Sequence, residues 1–372
     1  MDRFFATALA ASFLGAAFLA ACDGEKPAGE EGLERDELGT FTTDTGGGIE
    51  FTVEPPADAV SALVYCGPYG YDRLATAESI ATQEGGVVYD MEAPSGTAMR
   101  VGIHDDVLPM LLPVSPALDL AGGAYAFRLF FDAEEATSAT CGAVYRTDGA
   151  SGAPTVDLRL VFVGVDGIAP GLNAAEGEAT MAPVLAKVAD MWGEAGLSIG
   201  SVTYEDFSGD VDQYTVLAGD EALGSLLRSA GEDARAITFF FVQEITDDEG
   251  ATILGLAGGP PGMAAVGGTS KSGVVVTTAS FTSDPDEIAR IMAHEGGHFL
   301  GLFHTTEKDG SSFDPLDDTP ECTNDADGNG TFSTNECTGT GAENVMWWAA
   351  SASSTAMSAD QGWVLGRSAA TR

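Results

Sequence analysis

Residues 293–304 read AHEGGHFLGLFH, and this stretch decides how the rest of the chain is read. The protein has only 4 histidines, and His294, His298 and His304 all fall within it. His294 and His298 are four residues apart, so on a helix both imidazoles lie on one face, where two neutral rings can reach a common metal ion. A straight helix offers no third ligand there. Gly301 answers that need, because glycine tolerates the left-handed backbone that turns a chain sharply, and His304 then swings back to the metal. Three protein ligands and an open fourth position are the arrangement of catalytic rather than structural zinc. Glu295, beside the first ligand, can face the open position and act as general base toward a water acidified by the metal, then pass the proton to a leaving amine. No nucleophilic Ser or Cys is required. Gly296 and Gly297 each cost about 1 kcal/mol relative to Ala inside a helix. Close packing and substrate approach would both account for them.

Around this stretch, strands and helices alternate. VDLRLVFVGV (156–165) reads as a buried strand, and EGEATMAPVLAKVADMWGEA (176–195) as a helix with Met181, Val184, Leu185, Val188 and Met191 at helical spacing. LSIGSVTYEDF, ARAITFFFVQEI and SGVVVTTASF (272–281) read as further strands. A start signal precedes the histidine helix: Asp284 can cap, Pro285 takes the first helical position and Glu287 completes a capping box. The expectation for 155–372 is an α/β (α+β) domain with a twisted sheet backing the active-site helix. Upstream, residues 49–150 carry short alternating runs (IEFTVE, SALVYCG, GGVVYDM, MRVGIH, AYAFRLFF, CGAVYR) separated by turn formers, which predicts a small all-β sandwich. His104 stands alone in GIHDD and is expected at the surface. GASGAP (149–154) reads as a linker between the two.

HEGGHFLGLFH matches H-E-x-x-H-x-x-G-x-x-H, and the chain thereby resembles the metzincin metallopeptidases. Asn344-Val345-Met346 fits that family's methionine turn. The order GLFHT, DDTPEC (317–322), NVM looks most like the pappalysin branch, a resemblance that covers roughly residues 155–365. It implies His294, His298 and His304 as zinc ligands, Glu295 as general base and Met346 as a hydrophobic floor beneath the metal. The branch carries Tyr two positions after the turn methionine, whereas this chain has Trp348. Its indole N–H can donate but offers no oxygen to a metal, which leaves Trp348 as an oxyanion candidate. In this fold an extended peptide pairs with the strand bordering the cleft, and ILGLAGGPPGMAAVGG (253–268) is the candidate. Asp317 and Asp318 either favour a basic substrate side chain or form an acidic surface turn. The function implied is zinc-dependent endopeptidase action on a protein or peptide. The alternative is a cell-surface binding lipoprotein with a vestigial zinc site.

Within DADGNGTFSTNE (325–336), Asp325, Asp327, Asn329, Gly330 and Glu336 take positions 1, 3, 5, 6 and 12 of an EF-hand-type loop. Thr331 would add its backbone carbonyl, and Ser333 its hydroxyl directly or through water. The flanks do not read as helices, so the expectation is an isolated structural Ca²⁺ loop clipped by a disulfide.

Residues 1–21 read as a signal segment: Arg3 in a short basic start, an apolar run from Phe4 to Ala20, and small residues before Cys22. They resemble a bacterial lipobox, which would make Cys22 the lipid-modified first residue of the mature chain. A plain secretory signal is the other reading, and both export the protein. Residues 22–48 are expected to be an acidic flexible tether. Of the remaining cysteines, Cys66, Cys141, Cys322 and Cys337, an even count in an exported protein suggests two disulfides. Sequence proximity favours Cys66–Cys141 and Cys322–Cys337 among three pairings. With 57 acidic against 16 basic residues, the net charge of −41 argues against nucleic acid and anionic lipid as partners. Membrane contact is expected through the anchor alone, and the protein is expected to be monomeric.

Overall fold

The structure is a computed structural model that describes residues 31–93, 97–120, 123–132, 135–149, 153–231, 235–247, 250–279, 281 and 284–372. The expected signal segment and Cys22 lie outside the described residues. Nine strands come first: β1 (Leu33–Thr42), β2 (Gly48–Val53), β3 (Ser61–Gly67), β4 (Leu74–Thr82), β5 (Val87–Asp90), β6 (His104–Asp105), β7 (Leu108–Leu112), β8 (Tyr125–Asp132) and β9 (Ser138–Arg146). They form two antiparallel sheets, β1-β9-β3-β7 and β2-β8-β4-β5, with β6 added to β4. In β8, Tyr125, Phe127, Leu129 and Phe131 are buried while the residues between them are not, the alternation expected of a sheet with one dry face. Cys66 and Cys141 stand directly opposite each other on β3 and β9 and are disulfide-bonded.

The tether expectation needs correcting from Leu33 onward. Residues 33–42 run as β1 along β9, from Leu33 opposite Arg146 to Thr42 opposite Ser138. Most of the side chains of β1 face outward, so backbone pairing rather than an apolar pattern holds it in place. MRVGIH alternates like a strand, yet only His104 within it joins a ladder.

His104 also departs from expectation. It is buried, and its Nε2–H donates to Pro260 O at 3.3 Å. The next two residues continue the seam between the halves of the chain. Asp105 pairs with Lys271 Nζ at 2.6 Å, and Asp106 accepts from Ser270 Oγ at 2.7 Å and from the Arg228 guanidinium.

The second half is mixed α/β and rich in sheet: β10 (Thr155–Phe162), α1 (Gly177–Glu194), β11 (Ser198–Asp206), α2 (Val211–Tyr214), β12 (Val216–Ala218), α3 (Asp220–Arg228), β13 (Ala236–Val242), β14 (Glu244–Thr246), β15 (Thr252–Ile253), β16 (Gly255–Ala257), β17 (Val274–Thr277), α4 (Pro285–Phe299) and α5 (Ala359–Leu365). The main sheet has the order β11-β10-β13-β17-β16, parallel as far as β17, with β16 antiparallel at the edge. A small sheet, β12-β14-β15, lies apart from it. Phe239, Phe241, Val274 and Val276 on the sheet join Trp192 of α1 and Ile288, Ile291 and Met292 of α4 in a core that continues into the sandwich through Leu111. Asp284 caps α4 by accepting from Asp286 N at 3.0 Å, with Pro285 in the first turn.

Candidate metal centre

Helix α4 carries His294 and His298 toward one point and ends at Phe299. Gly301 then takes φ +112°, and its missing β-carbon leaves room for Leu111 of the sandwich, which would otherwise stand at 2.6 Å. That turn returns His304. The three Nε2 atoms lie 3.1, 3.1 and 3.3 Å apart, so the structure brings all three sequence-predicted ligands together.

The other ring nitrogens fix what those Nε2 atoms are. His294 Nδ1 lies 2.7 Å from Val345 O and His298 Nδ1 lies 2.7 Å from Leu302 O. A carbonyl carries no proton, so both Nδ1 atoms donate. His304 Nδ1 donates to Glu307 Oε2 at 2.8 Å. Burial, and then the neighbouring His304, hold the His294 imidazole at about 4. Burial followed by His294 and His304 pushes His298 well below its usual value. With Nδ1 protonated and the rings of His294 and His298 neutral, their Nε2 atoms present bare lone pairs, which cannot hydrogen-bond one another. His304 turns its Nε2 toward the same point, and a cation there would satisfy all three nitrogens. Tetrahedral geometry with metal–nitrogen bonds of 2.0–2.1 Å sets nitrogen separations of roughly 3.3 Å, so the donor set fits Zn²⁺. A hydrogen-bonded carbonyl or carboxylate behind each ring is the usual means of orienting metal-ligating imidazoles.

Glu295 follows His294 directly on α4 and is half-buried, its side chain against Gly255 of β16. Loss of hydration lifts its carboxyl to about 8, against a hydrogen bond from the backbone of Ala257 on β16. The carboxyl is thus tied to the edge strand that the sequence nominates for peptide.

The two helix glycines serve close packing. A β-carbon on Gly296 would meet the Trp192 ring at 2.6 Å, and one on Gly297 would meet Met346 Sδ at 2.5 Å. Trp192 is also tied to the helix by its Nε1–H, which donates to Ala293 O at 3.2 Å. Met346 is fully buried, and its turn is braced by Asn344 Oδ1, which accepts from Met346 N at 2.8 Å. Asn344 and Gln361 exchange two amide hydrogen bonds of 2.9 and 3.0 Å behind it.

The indole N–H of Trp348, the candidate oxyanion donor, donates to Phe332 O at 2.7 Å, and its ring packs with Trp347 around the Cys322–Cys337 disulfide. Inside that disulfide, Asp325, Asp327 and Glu336 place carboxylate oxygens within 4.8 Å of one another. Asn329 instead turns its amide onto Asp327 (2.9 Å) and its carbonyl onto Thr331 N (2.7 Å), while Ser333 Oγ donates to Glu336 at 2.6 Å. Asp318 accepts from Asp360 N at 2.9 Å at the surface.

Two residues of the centre escape a sequence reading. Glu307 follows His304 by three positions, a spacing that could have flagged it. Arg100, which donates to Glu307 Oε1 at 2.6 Å, is 207 positions away and carries no local signal.

No protein-family model matches the chain, and no curated protein does. Among solved structures, metalloproteinase-II from Bacteroides fragilis aligns at 14% identity over 61% of this chain and 62% of that chain, with a TM-score of 0.32. A zinc-dependent peptidase from Methanocorpusculum labreanum aligns at 14% identity over 40% of this chain and 82% of that one, with a TM-score of 0.24. A chaperone–substrate complex aligns at 18% identity over 44% and 26%, with a TM-score of 0.30. The chain thus spans less than two thirds of the Bacteroides protein. Likenesses of this depth carry no argument, and the chemistry rests on the residues themselves.

Proposed function

We propose that the protein is a zinc-dependent endopeptidase of the metzincin type, in its pappalysin-like branch. The observation that carries this reading is the convergence of three Nε2 atoms, each backed by an acceptor at Nδ1, at the helix that also carries Glu295. His294, His298 and His304 would hold the ion. When bound, it supplies Lewis acidity, polarising a carbonyl and acidifying water. Drawn back to its ionised form by the charge of a bound ion, the Glu295 carboxyl accepts a proton and returns it to the departing amine. Met346 supports the ligand-bearing helix from below. β16 is the last strand of its sheet, and an extended peptide can add to that edge by main-chain pairing. Bound there, substrate would lie against the strand that touches Glu295.

The same proposal includes export through the 1–21 signal segment, a lipid anchor on Cys22 at a bacterial membrane, a protein or peptide substrate, a monomeric state and structural Ca²⁺ at 325–336. The surface-binding alternative rests on Trp348 and on an N-terminal β-domain without pointed chemistry; the engagement of the indole N–H by Phe332 gives the first of these a packing role. Casein degradation by the purified protein, stopped by a chelator and restored by zinc, tests the enzymatic reading. A protein that holds one zinc per chain yet cleaves neither casein nor a peptide library would leave the binding reading standing.

A further inference from the structure

His294 and His298 are held from behind by carbonyls of the α/β half, Val345 O and Leu302 O. His304 is different. It stands outside the helix, and its Nδ1 partner is a side chain, Glu307, itself 28% exposed and in need of a fixed position. That position comes from the N-terminal sandwich. Arg100, in the segment between β5 and β6, donates from one terminal nitrogen to Glu307 Oε1 at 2.6 Å and from the other to Phe313 O at 3.0 Å. Its guanidinium carbon sits 4.9 Å from the centre of the Phe303 ring. Three contacts thus pin the arginine to Phe303, just before His304, and to Glu307 and Phe313, three and nine positions after it. On the sandwich side, neighbouring Met99 is buried in the shared core, so the base of the Arg100 side chain is anchored as well. Leu111 of β7 fills the space at the Gly301 turn from the same side.

Resting on the metal-site reading above, we propose that the sandwich is a working part of the metal centre, with Arg100 as the positioning residue that holds Glu307 and, through it, the third ligand His304. A guanidinium suits the task. Its planar fork bridges a carboxylate and a carbonyl while its face lies on an aromatic ring, which an ammonium cannot reproduce. The α/β half alone would retain His294 and His298 in place and leave His304 free to drift.

The test uses the full chain with Arg100→Ala, Arg100→Lys and Glu307→Gln, each titrated with zinc against a chromophoric chelator and each loaded with cobalt for its visible spectrum. Loss of partners behind metal ligands typically weakens metal affinity about 10- to 100-fold. That loss is expected for Arg100→Ala and Glu307→Gln, with Arg100→Lys intermediate and the cobalt bands altered in all three. Lys271→Ala, which removes a seam ion pair of 2.6 Å with Asp105 that involves none of the three histidines or Glu307, separates seam stability from ligand geometry. It is expected to lower the melting temperature while keeping the parent's affinity and spectrum. Arg100→Ala and Arg100→Lys proteins that bind zinc within threefold of the parent and keep its cobalt spectrum would overturn the proposal. So would a Lys271→Ala protein losing affinity as much as they do. A parent protein that binds no zinc would overturn this proposal together with the metal-site reading, a result distinct from intact binding in every variant.

Discussion

Met346 lies so close beneath Gly297 that a β-carbon on the glycine would come within 2.5 Å of the methionine sulfur. Helix α4 therefore rests on the Met346 side chain at a position where it has none of its own, one residue before His298. Alanine at 297 would gain about 1 kcal/mol of helix propensity, but overpacking a closed core costs about 1–3 kcal/mol. Met346 has no exposed surface into which to retreat. Gly297→Ala is expected to lower unfolding stability by about 1 kcal/mol and to weaken zinc binding, because the helix must lift off its floor. Urea denaturation checks the first effect, and a variant more stable than the parent would contradict the packing argument.

Glu295 touches no ring of the proposed ligand set through a hydrogen bond, so its loss should separate chemistry from metal binding. Glu295→Gln keeps the volume and removes the base. The expected result is one zinc per chain as in the parent, with kcat for peptide cleavage reduced by about 100-fold or more, the usual range for a general base. Metal analysis beside single-turnover cleavage provides the check. An unchanged kcat would assign the proton transfer elsewhere.

His104 links stability to pH. Burial, and then the Lys271 ammonium, hold it at about 4, while Pro260 O and Asp105 pull upward. The unfolded chain takes up a proton near the usual value of about 6.5, and the native chain refuses it until about pH 4. The stability contributed by neutral His104 is therefore complete above 6.5 and drains as pH falls toward 4, by about 1.4 kcal/mol per unit. Asp314 acts in the opposite sense: burial lifts its carboxyl to about 7, against hydrogen bonds from Thr319 and Leu316, so its contribution weakens as pH rises through that range. The comparison that isolates His104 is with His104→Gln, which keeps an N–H for Pro260 O. Relative to that variant, the parent is expected to lose about 3 kcal/mol between pH 7.5 and 4 in urea denaturation. A flat difference would mean that His104 titrates normally.

The acidic loop within the Cys322–Cys337 disulfide is expected to respond to calcium alone. A cation that binds only the folded chain at a hundredfold excess over its Kd adds about 2.7 kcal/mol. Calcium added to metal-stripped protein is therefore expected to raise the melting temperature, and Asp325→Ala with Glu336→Ala to abolish the rise. Identical melting curves with and without calcium would leave the loop as a surface turn.

The histidine cluster and Glu295 were legible because their spacing is local. Four-residue spacing on a helix, one glycine and three further residues define the cluster without knowledge of the rest of the fold. The strands of the main sheet were legible for a similar reason, since β13 is a nearly continuous buried apolar run and β10 alternates apolar and polar residues before ending in one. β1 was not, because its outward acidic side chains resemble a solvated tether and its stability comes from pairing with β9 about a hundred residues later. MRVGIH misled in the other direction: its alternation suggests a strand, while the chain there is a loop whose arginine serves a distant site. His104 looked solitary because its partners, Pro260 and Lys271, belong to the other half of the chain. Long-range polar contacts of this kind leave no periodic trace.

The account stands most directly on where a zinc ion binds. Crystals of the full chain grown with zinc, with diffraction recorded on either side of the zinc edge, should show one strong anomalous peak at about 2.0–2.1 Å from Nε2 of His294, His298 and His304 together, with Glu295 facing its open side. A peak elsewhere, a site lacking one of the three imidazoles, or no peak at all would contradict it.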